Sequence, residues 1–271
     1  MRAKQGHRHL WRMCYGVKAR TEMSLRIAKS RGNIEAAEKL ARLLNPYPEF
    51  DLHYGNAFTH PKLVVYTDAA PREPQLSLWG LVPAWAKDIE QRNQLWNQTL
   101  NARGESIFEK PAFRTSAKSK RCIVHVEGFY EHHHFGKKTY PYFIHLKDRS
   151  QFALAALWEE WNDKESGEPL HTFSIVTTEG NDLLKRIHNN PKLEGPRMPV
   201  ILTEAEEELW LAPINSAADE EAINRLIKSY PAEAMAAHPV KALLGKEGVG
   251  NAPGASEPFE YLELLLADPL A

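Results

Sequence analysis

The sequence predicts one α+β domain built on a strongly curved or closed sheet, with helices at its periphery. Strand patterns fill the middle of the 271-residue chain, helical patterns are interspersed, and the two do not follow the regular βαβ alternation of a parallel sheet. The length suits one large domain or two small ones, and no internal repeat or convincing linker divides it.

Thr21 to Leu44 has helical apolar spacing, broken at Gly32-Asn33 and ended by Asn45-Pro46. Lys62 to Thr67 reads as a strand through Leu63, Val64, Val65 and Tyr66, and Leu76 to Val82 as another, stopped by Pro83. Arg121 to Glu131 is rich in β-formers. Tyr142 to Leu146 and Phe152 to Trp158 read as a strand pair joined by the turn Lys147-Asp148-Arg149-Ser150, and Thr172 to Thr177 as a further strand. Helical patterns return at Gly180 to Ile187, Glu204 to Leu211 and Ala217 to Ser229, with a short strand at Met198 to Leu202. Gly245 to Ser256 is a glycine-rich loop, and the tail Phe259 to Leu266 is apolar.

With 43% hydrophobic residues and seven tryptophans, the chain has the inventory for a sizeable core. It lacks an apolar run of about 18 residues, so no transmembrane helix is expected. Met1 to Arg12 is basic and polar, without the apolar stretch of a secretory signal. The two cysteines, Cys14 and Cys122, make no disulfide scaffold and no CxxC pair, which points to a reducing, cytoplasmic compartment. Net charge is −1, but its distribution is uneven. Cations dominate Met1 to Arg31, Lys18 and Arg20 among them, with Glu22 the one acid there. A second basic stretch, Lys110 to Arg121, holds Arg114, Lys118 and Lys120, while acids gather at Glu204–Glu208 and Asp219–Glu221. Such polarity suits a local phosphate-binding face, or simply solvated faces.

Several residues could carry chemistry. Cys14 follows Met13. If residues 1–13 are absent or removed, Cys14 presents a thiol and a free α-amine. The amine, with a pKa near 8, can condense with an aldehyde, and the thiol can close a five-membered thiazolidine; the alternative is a buried, inert cysteine. Asn101 and Arg103 are two residues apart and share one face of a strand, where an amide could polarise a carbonyl and a guanidinium clamp a phosphate; the alternative is a charged surface turn. Glu131, beside strand aromatics, could move protons if burial raises its pKa, or be an edge-strand surface acid. Of His132-His133-His134, only His132 and His134 could share an ion on a strand, and no third ligand stands at metal-site spacing, so neither a metal nor another cofactor is expected. His188, in a loop after a helix, is a candidate acid/base or a structural histidine.

In order, Met13-Cys14, the stretch Trp79 to Trp85, Asn101 to Glu105, Arg121-Cys122 through Gly128-Phe129-Tyr130-Glu131, and Ile187-His188 to Arg197-Met198-Pro199-Val200 resemble the SOS response-associated peptidase (SRAP) family of abasic-site processing proteins. The resemblance runs from Met13 to about Val240. It implies a single SRAP domain over residues 14–271 on a curved, barrel-like, mainly antiparallel sheet with peripheral helices. It also implies the family's chemistry: N-terminal Cys14 forms a thiazolidine crosslink with the ring-opened sugar of an abasic site in single-stranded DNA, and the same machinery removes the peptide before Cys14. In that reading Asn101 orients and polarises the reacting groups, and Glu131 and His188 shuttle protons. Arg103 holds a phosphate, Pro83 and Trp85 form a wedge or stacking surface, and Thr177 is a polar strand-end residue near the site. Lys18 or Arg20 substitutes for the arginine that the family places after Met-Cys-Gly, since here Tyr15-Gly16-Val17 follow Cys14. Arg114 joins them as a candidate DNA contact. His132 stands where an aromatic residue is common, and Lys241 where a serine is usual.

Residues 1–13 are a leader expected to be missing from the mature protein. Either Met13 is the true start, or the protein cuts the leader off, or the leader persists and blocks the amine. The lack of any folding pattern in Met1 to Arg12 favours Met13 as the start. A monomer without a membrane partner is expected, located in the cytoplasm and, in a bacterium, on damaged DNA. Two other function classes stay open: a non-covalent single-stranded DNA-binding module, and a cysteine peptidase acting on other proteins with Cys14 and His188 as nucleophile and base.

Overall fold

The computed structural model describes residues 15–44, 50–148, 150–163, 167–192, 194–265 and 269–270. The leader, 1–13, and Cys14 lie outside the described residues. In chain order the elements are β1 (Gly16–Arg20), α1 (Thr21–Ser30), α2 (Ile34–Leu44), β2 (Asp51–Asn56), β3 (Lys62–Thr67), β4 (Ala70–Trp79), α3 (Ile89–Trp96), β5 (Asn101–Arg103), α4 (Arg114–Ser119) and β6 (Arg121–Val126). They continue with β7 (Gly128–Phe135), β8 (Lys138–Leu146), β9 (Phe152–Asn162), β10 (Pro169–Glu179), α5 (Asp182–Ile187), β11 (Arg197–Pro199), β12 (Ile201–Leu202), α6 (Glu204–Leu211), α7 (Ala217–Arg225) and β13 (Met235–Pro239).

Strands β10, β4, β3, β6 and β9 pair in a ring, because β9 returns to β10, and so close a five-stranded barrel. β5, β11 and β12 attach to it. A second, antiparallel sheet has the order β13-β8-β7-β1-β2. Only the pairings of β10 with β4 and β5 are parallel among the described residues. The fold is α+β, with a curved, mainly antiparallel barrel as expected.

Period-two alternation lets the barrel strands serve two cores. Leu63 and Val65 on β3, Cys122 and Val124 on β6, and Leu154 and Ala156 on β9 pack with Phe129, Tyr142 and Ile144 of the second sheet. Their neighbours Val64, Tyr66, Ile123, Ala155 and Leu157 pack with Ala36, Ala37 and Leu40 of α2 and with Trp210 of α6. Trp210 is fully buried, and its Nε1 donates to Cys122 O at 3.0 Å and Ala156 O at 3.2 Å, fixing α6 across β6 and β9. The break between α1 and α2 falls where expected. Gly32 takes φ 68°, and Asn33 Oδ1 accepts from Ala36 N at 3.0 Å to start the second helix.

Two expectations need correction. Tyr142–Leu146 and Phe152–Trp158 are strands, but they do not pair with each other: β8 pairs with β7 and β13, and β9 with β6, β10 and β12. The tight hairpin is β7–β8, with Phe135 opposite Lys138 and Gly136 at φ 59° in the two-residue loop, a glycine-first turn that suits the strand twist. The Lys147–Ser150 segment therefore carries the chain from one sheet to the other. Arg121 does not belong to a phosphate-binding face. It is fully buried and donates to the carbonyls of Ala117, Trp210 and Ala212. Lys120 beside it is ion-paired with buried Glu159. Boundaries also shift. β4 begins at Ala70 and ends at Trp79, ahead of Gly80 at φ 112°, where a Cβ would lie 2.4 Å from the Trp96 ring.

Candidate active site

β7 carries Glu131 into the interior between β8 and β1. β1 reaches β7 only as far as the Gly16–Tyr130 pair, whereas β8 continues along it to Phe135. Next to the part of β7 beyond Tyr130 lies a cavity of about 490 Å³, lined by Tyr15, Phe58, Glu131, His132, His134 and His188 together with Asn56, Asn97 and Asn190. Glu131 is the one acid among the described lining residues.

His188 comes to the same cavity from α5. Asn181 starts that helix by accepting from Leu184 N at 3.0 Å, and His188 N still donates to Leu184 O at 2.7 Å before the backbone turns away. His188 Nδ1 lies 3.4 Å from Arg197 O, and its Nε2 lies 3.8 Å from Glu131 Oε2. An Nδ1–H directed at the Arg197 carbonyl leaves the Nε2 lone pair facing the carboxyl group. The 3.8 Å gap is wider than a direct hydrogen bond and suits a bridging water or a reacting atom.

Burial pushes the Glu131 carboxyl above its ordinary pKa, and His188 and the His132 N–H pull it part of the way back. Its Oε1 accepts no hydrogen bond among the described residues. A carboxyl group in that setting holds its proton to higher pH than an ordinary carboxylate and can donate or receive it. His132 is pushed down to about 4 by burial, then by His134 and His188. Burial and the same neighbourhood also lower His134. Among the described residues no group of three or more His, Cys, Asp or Glu side chains is arranged to hold a metal.

The other sequence candidates are spread around this centre. Asn101 is buried on β5 opposite Ile175 of β10 and is not among the cavity-lining residues. Arg103, at the other end of β5, is about half exposed and pairs with exposed Glu194 at 3.2 Å. Pro83 is buried, while Trp85 is 47% exposed with its Nε1 donating to Pro111 O at 3.1 Å. Thr177 is fully buried. Its hydroxyl donates to Ala102 O and accepts from Arg197, so it bears on β5 rather than on solvent. Lys18 and Arg20 are committed to Glu127: Arg20 binds it at 2.7 and 3.0 Å, and Lys18 Nζ lies 3.7 Å from it and donates to Ser256 Oγ. Arg114 is exposed at the start of α4. Cys122 is fully buried, and burial raises its thiol pKa well above the ordinary value, so it is no nucleophile.

The sequence model described as SOS response associated peptidase (SRAP) matches residues 19–247. The chain belongs to the SRAP family. Among similar proteins, the abasic site processing protein YoqW of Bacillus subtilis (strain 168) is 38% identical over 200 residues, covering 73% of this chain and 83% of that one. The abasic site processing protein HMCES of Gallus gallus is 30% identical over 186 residues, covering 61% of this chain and 52% of the relative. A solved structure from Bacteroides thetaiotaomicron is 33% identical with a TM-score of 0.75, covering 91% of this chain and all (100%) of that one. One from Bordetella bronchiseptica, at 20% identity and a TM-score of 0.66 over 84% of this chain, shares the fold.

Within this SRAP domain, the cavity brings Glu131 and His188 together as a pair and adds residues that sequence reasoning did not single out as site residues: Tyr15, Asn56, Phe58, Asn97 and Asn190. No local pattern marks them, because they come from separate loops and strand ends that meet only in the fold. His134 carried a signal, alternation with His132 along a strand, and both line the cavity.

Proposed function

We propose that this SRAP protein processes abasic sites in single-stranded DNA by forming a covalent thiazolidine link through Cys14. The observation that carries the reading is covalent proximity. Tyr15, one peptide bond from Cys14, lines the same cavity as the buried Glu131–His188 pair. That shared cavity supports a Cys14 amine and thiol working with an acid and a base suited to proton transfer.

The chemistry balances without a cofactor. The Cys14 amine adds to the aldehyde carbon of the ring-opened sugar. Glu131, as a carboxylic acid, gives a proton to the departing hydroxyl, which leaves as water. The Glu131 carboxylate then takes the proton of the resulting iminium nitrogen, leaving a neutral C=N bond and the carboxylic acid restored. The Cys14 sulfur then adds to that carbon, and its proton passes through His188 to the ring nitrogen. Closure is intramolecular and correspondingly favoured. Reversal runs the same proton path backward. Asn101 does not line this cavity and takes no step in the scheme. Arg103 takes a neighbouring phosphate readily, since its ion pair with Glu194 is exposed at both ends and worth little. Trp85, with its N–H anchored, offers a stacking surface beside Pro83. Autocatalytic removal of the peptide ahead of Cys14 draws on the same groups: the thiol takes over the Met13 acyl group, the amine is freed, and water cleaves the thioester.

The test begins with the intact mass of the purified protein, which shows whether the chain starts at Met1, Met13 or Cys14. Protein starting at Cys14 is then incubated with a single-stranded oligonucleotide carrying an abasic site. A band resistant to heat and denaturant, lost in Cys14→Ser, is expected. Binding without such a band would leave a non-covalent DNA-binding module. Activity that survives blocking of the α-amine with the thiol intact would leave a cysteine peptidase.

A further inference from the structure

We infer that Asn189 is a positioning residue for the Glu131–His188 pair, its side-chain amide clasping the main chain of His134 and so holding the loop that bears His188 against the strand that bears Glu131. The inference rests on the acid–base role proposed for that pair. Asn189 Oδ1 accepts from His134 N at 2.7 Å, and Asn189 Nδ2 donates to His134 O at 3.0 Å. One side chain thus satisfies both backbone groups of a strand residue, as a neighbouring strand would. The orientation of the amide follows from the pairing itself, donor to carbonyl and carbonyl to N–H.

The clasp sits on a stretch of β7 along which, among the described residues, β1 no longer pairs. β1 pairs with β7 at Lys18–Gly128, Val17–Phe129 and Gly16–Tyr130, and that pairing stops at Tyr130. The hairpin pair Phe135–Lys138 turns the odd-numbered residues toward β8, so even-numbered positions such as His134 offer their N–H and C=O on the β1 side. His134 lies further along the same edge, and Asn189 takes the vacant ladder position. Asn189 is bonded directly to His188 in sequence, and His134 is three residues from Glu131 on one strand. A second contact in the same region, His133 Nδ1 to Arg186 O at 3.2 Å, ties the end of α5 to β7. Of the hydrogen bonds between this segment and β7, the two supplied by Asn189 are the nearest to His188 in sequence. Asparagine is specific here: aspartate lacks the donor, and alanine lacks both groups.

The test compares wild type, Asn189→Ala and Asn189→Asp, each with Cys14 as its first residue. Two measurements are made: the rate of crosslinking to abasic single-stranded DNA as a function of pH, and the carboxyl titration of Glu131 by carbon NMR in the DNA-free protein. Asn189→Ala should crosslink on the order of tenfold to a hundredfold more slowly, the effect of misplacing a catalytic group by about 1 Å. Its Glu131 titration should move upward as the His188 imidazole is released from its neighbourhood. Asn189→Asp, which keeps the acceptor, should fall between. An unmoved Glu131 midpoint in Asn189→Ala overturns the inference, as does a wild-type rate and pH profile in a protein that crosslinks. If wild type forms no crosslink while the Glu131 midpoint moves, the proposed function fails and the positioning role stands.

Discussion

Glu131 Oε2 and His188 Nε2 stand 3.8 Å apart, with side chains only 4% and 5% exposed. A carboxyl group and an imidazole withdrawn from water at this spacing make a proton reservoir whose cost appears whenever Glu131 ionises without compensation.

That cost gives the first prediction. Burial raises the folded-state pKa of Glu131 above its ordinary 4.5. The folded protein thus binds this proton more tightly than the unfolded chain. The corresponding stability is full below the ordinary value and is lost as pH rises through the raised one. Glu131→Gln cannot ionise and should escape that loss. At about pH 8 it should be more stable than wild type by on the order of 1–3 kcal/mol, the two converging near about pH 4. It should also form and reverse the crosslink more slowly. Denaturant melts at both pH values and a crosslinking time course check this, and wild-type rates in both directions would remove the proton role.

His132 should act in the opposite sense. Its folded value near 4 lies below the ordinary 6.5, through burial first and then His134 and His188. Stability from this group is full above 6.5 and lost as pH falls toward about 4. His132→Gln should flatten that acid limb, by no more than about 3 kcal/mol over the interval. Thermal melting across the pH range reads it.

The cations divide into structural and available sets. Arg20 is bound bidentately to Glu127, which lies between β6 and β7, so Arg20→Ala should cost about 1–2 kcal/mol of stability and leave the salt dependence of single-stranded DNA binding unchanged. Arg114 is exposed and makes no ion pair among those of the described residues. Arg114→Ala should leave melting unchanged and lower the slope of log affinity against log salt by about one. Titrations at several salt concentrations separate the two.

Arg121 should be among the least replaceable residues of the barrel. It is fully buried, and its guanidinium satisfies three carbonyls from α4 and the end of α6. Arg121→Ala orphans all of them and opens a void, a loss of about 3–5 kcal/mol. Arg121→Lys should recover little, because one ammonium cannot reach the three positions that the planar fork spans. Urea unfolding measures both.

The sequence made legible the elements whose own residues determine them. Lys62–Thr67 and Glu204–Leu211 fall at the predicted boundaries, the first a continuous apolar run and the second a helical pattern opened by Thr203, whose N–H donates to Glu206. β1, β2 and β13 were not legible. Gly-Val-Lys-Ala-Arg, Asp-Leu-His-Tyr-Gly-Asn and Met-Ala-Ala-His-Pro carry no strand signal, and their extended state is imposed by partners on the second sheet. The β7–β8 turn was written in Gly136-Lys137 but obscured by the three histidines before it. At the site, Glu131 and His188 emerged from the order of motifs, whereas Asn56, Phe58 and Asn97 reach the cavity only through long-range packing.

The clasp on His134 also caps the ladder between β1 and β7. Their register pairs each residue closer to the start of β1 with one further along β7, so a β1 extended in register as far as His134 would need that residue's N–H and C=O. Asn189 already holds both. Extending β1 as far as His134 and keeping the clasp are therefore mutually exclusive, and the fold gives the two backbone groups to the segment that bears His188 in preference to another rung of strand.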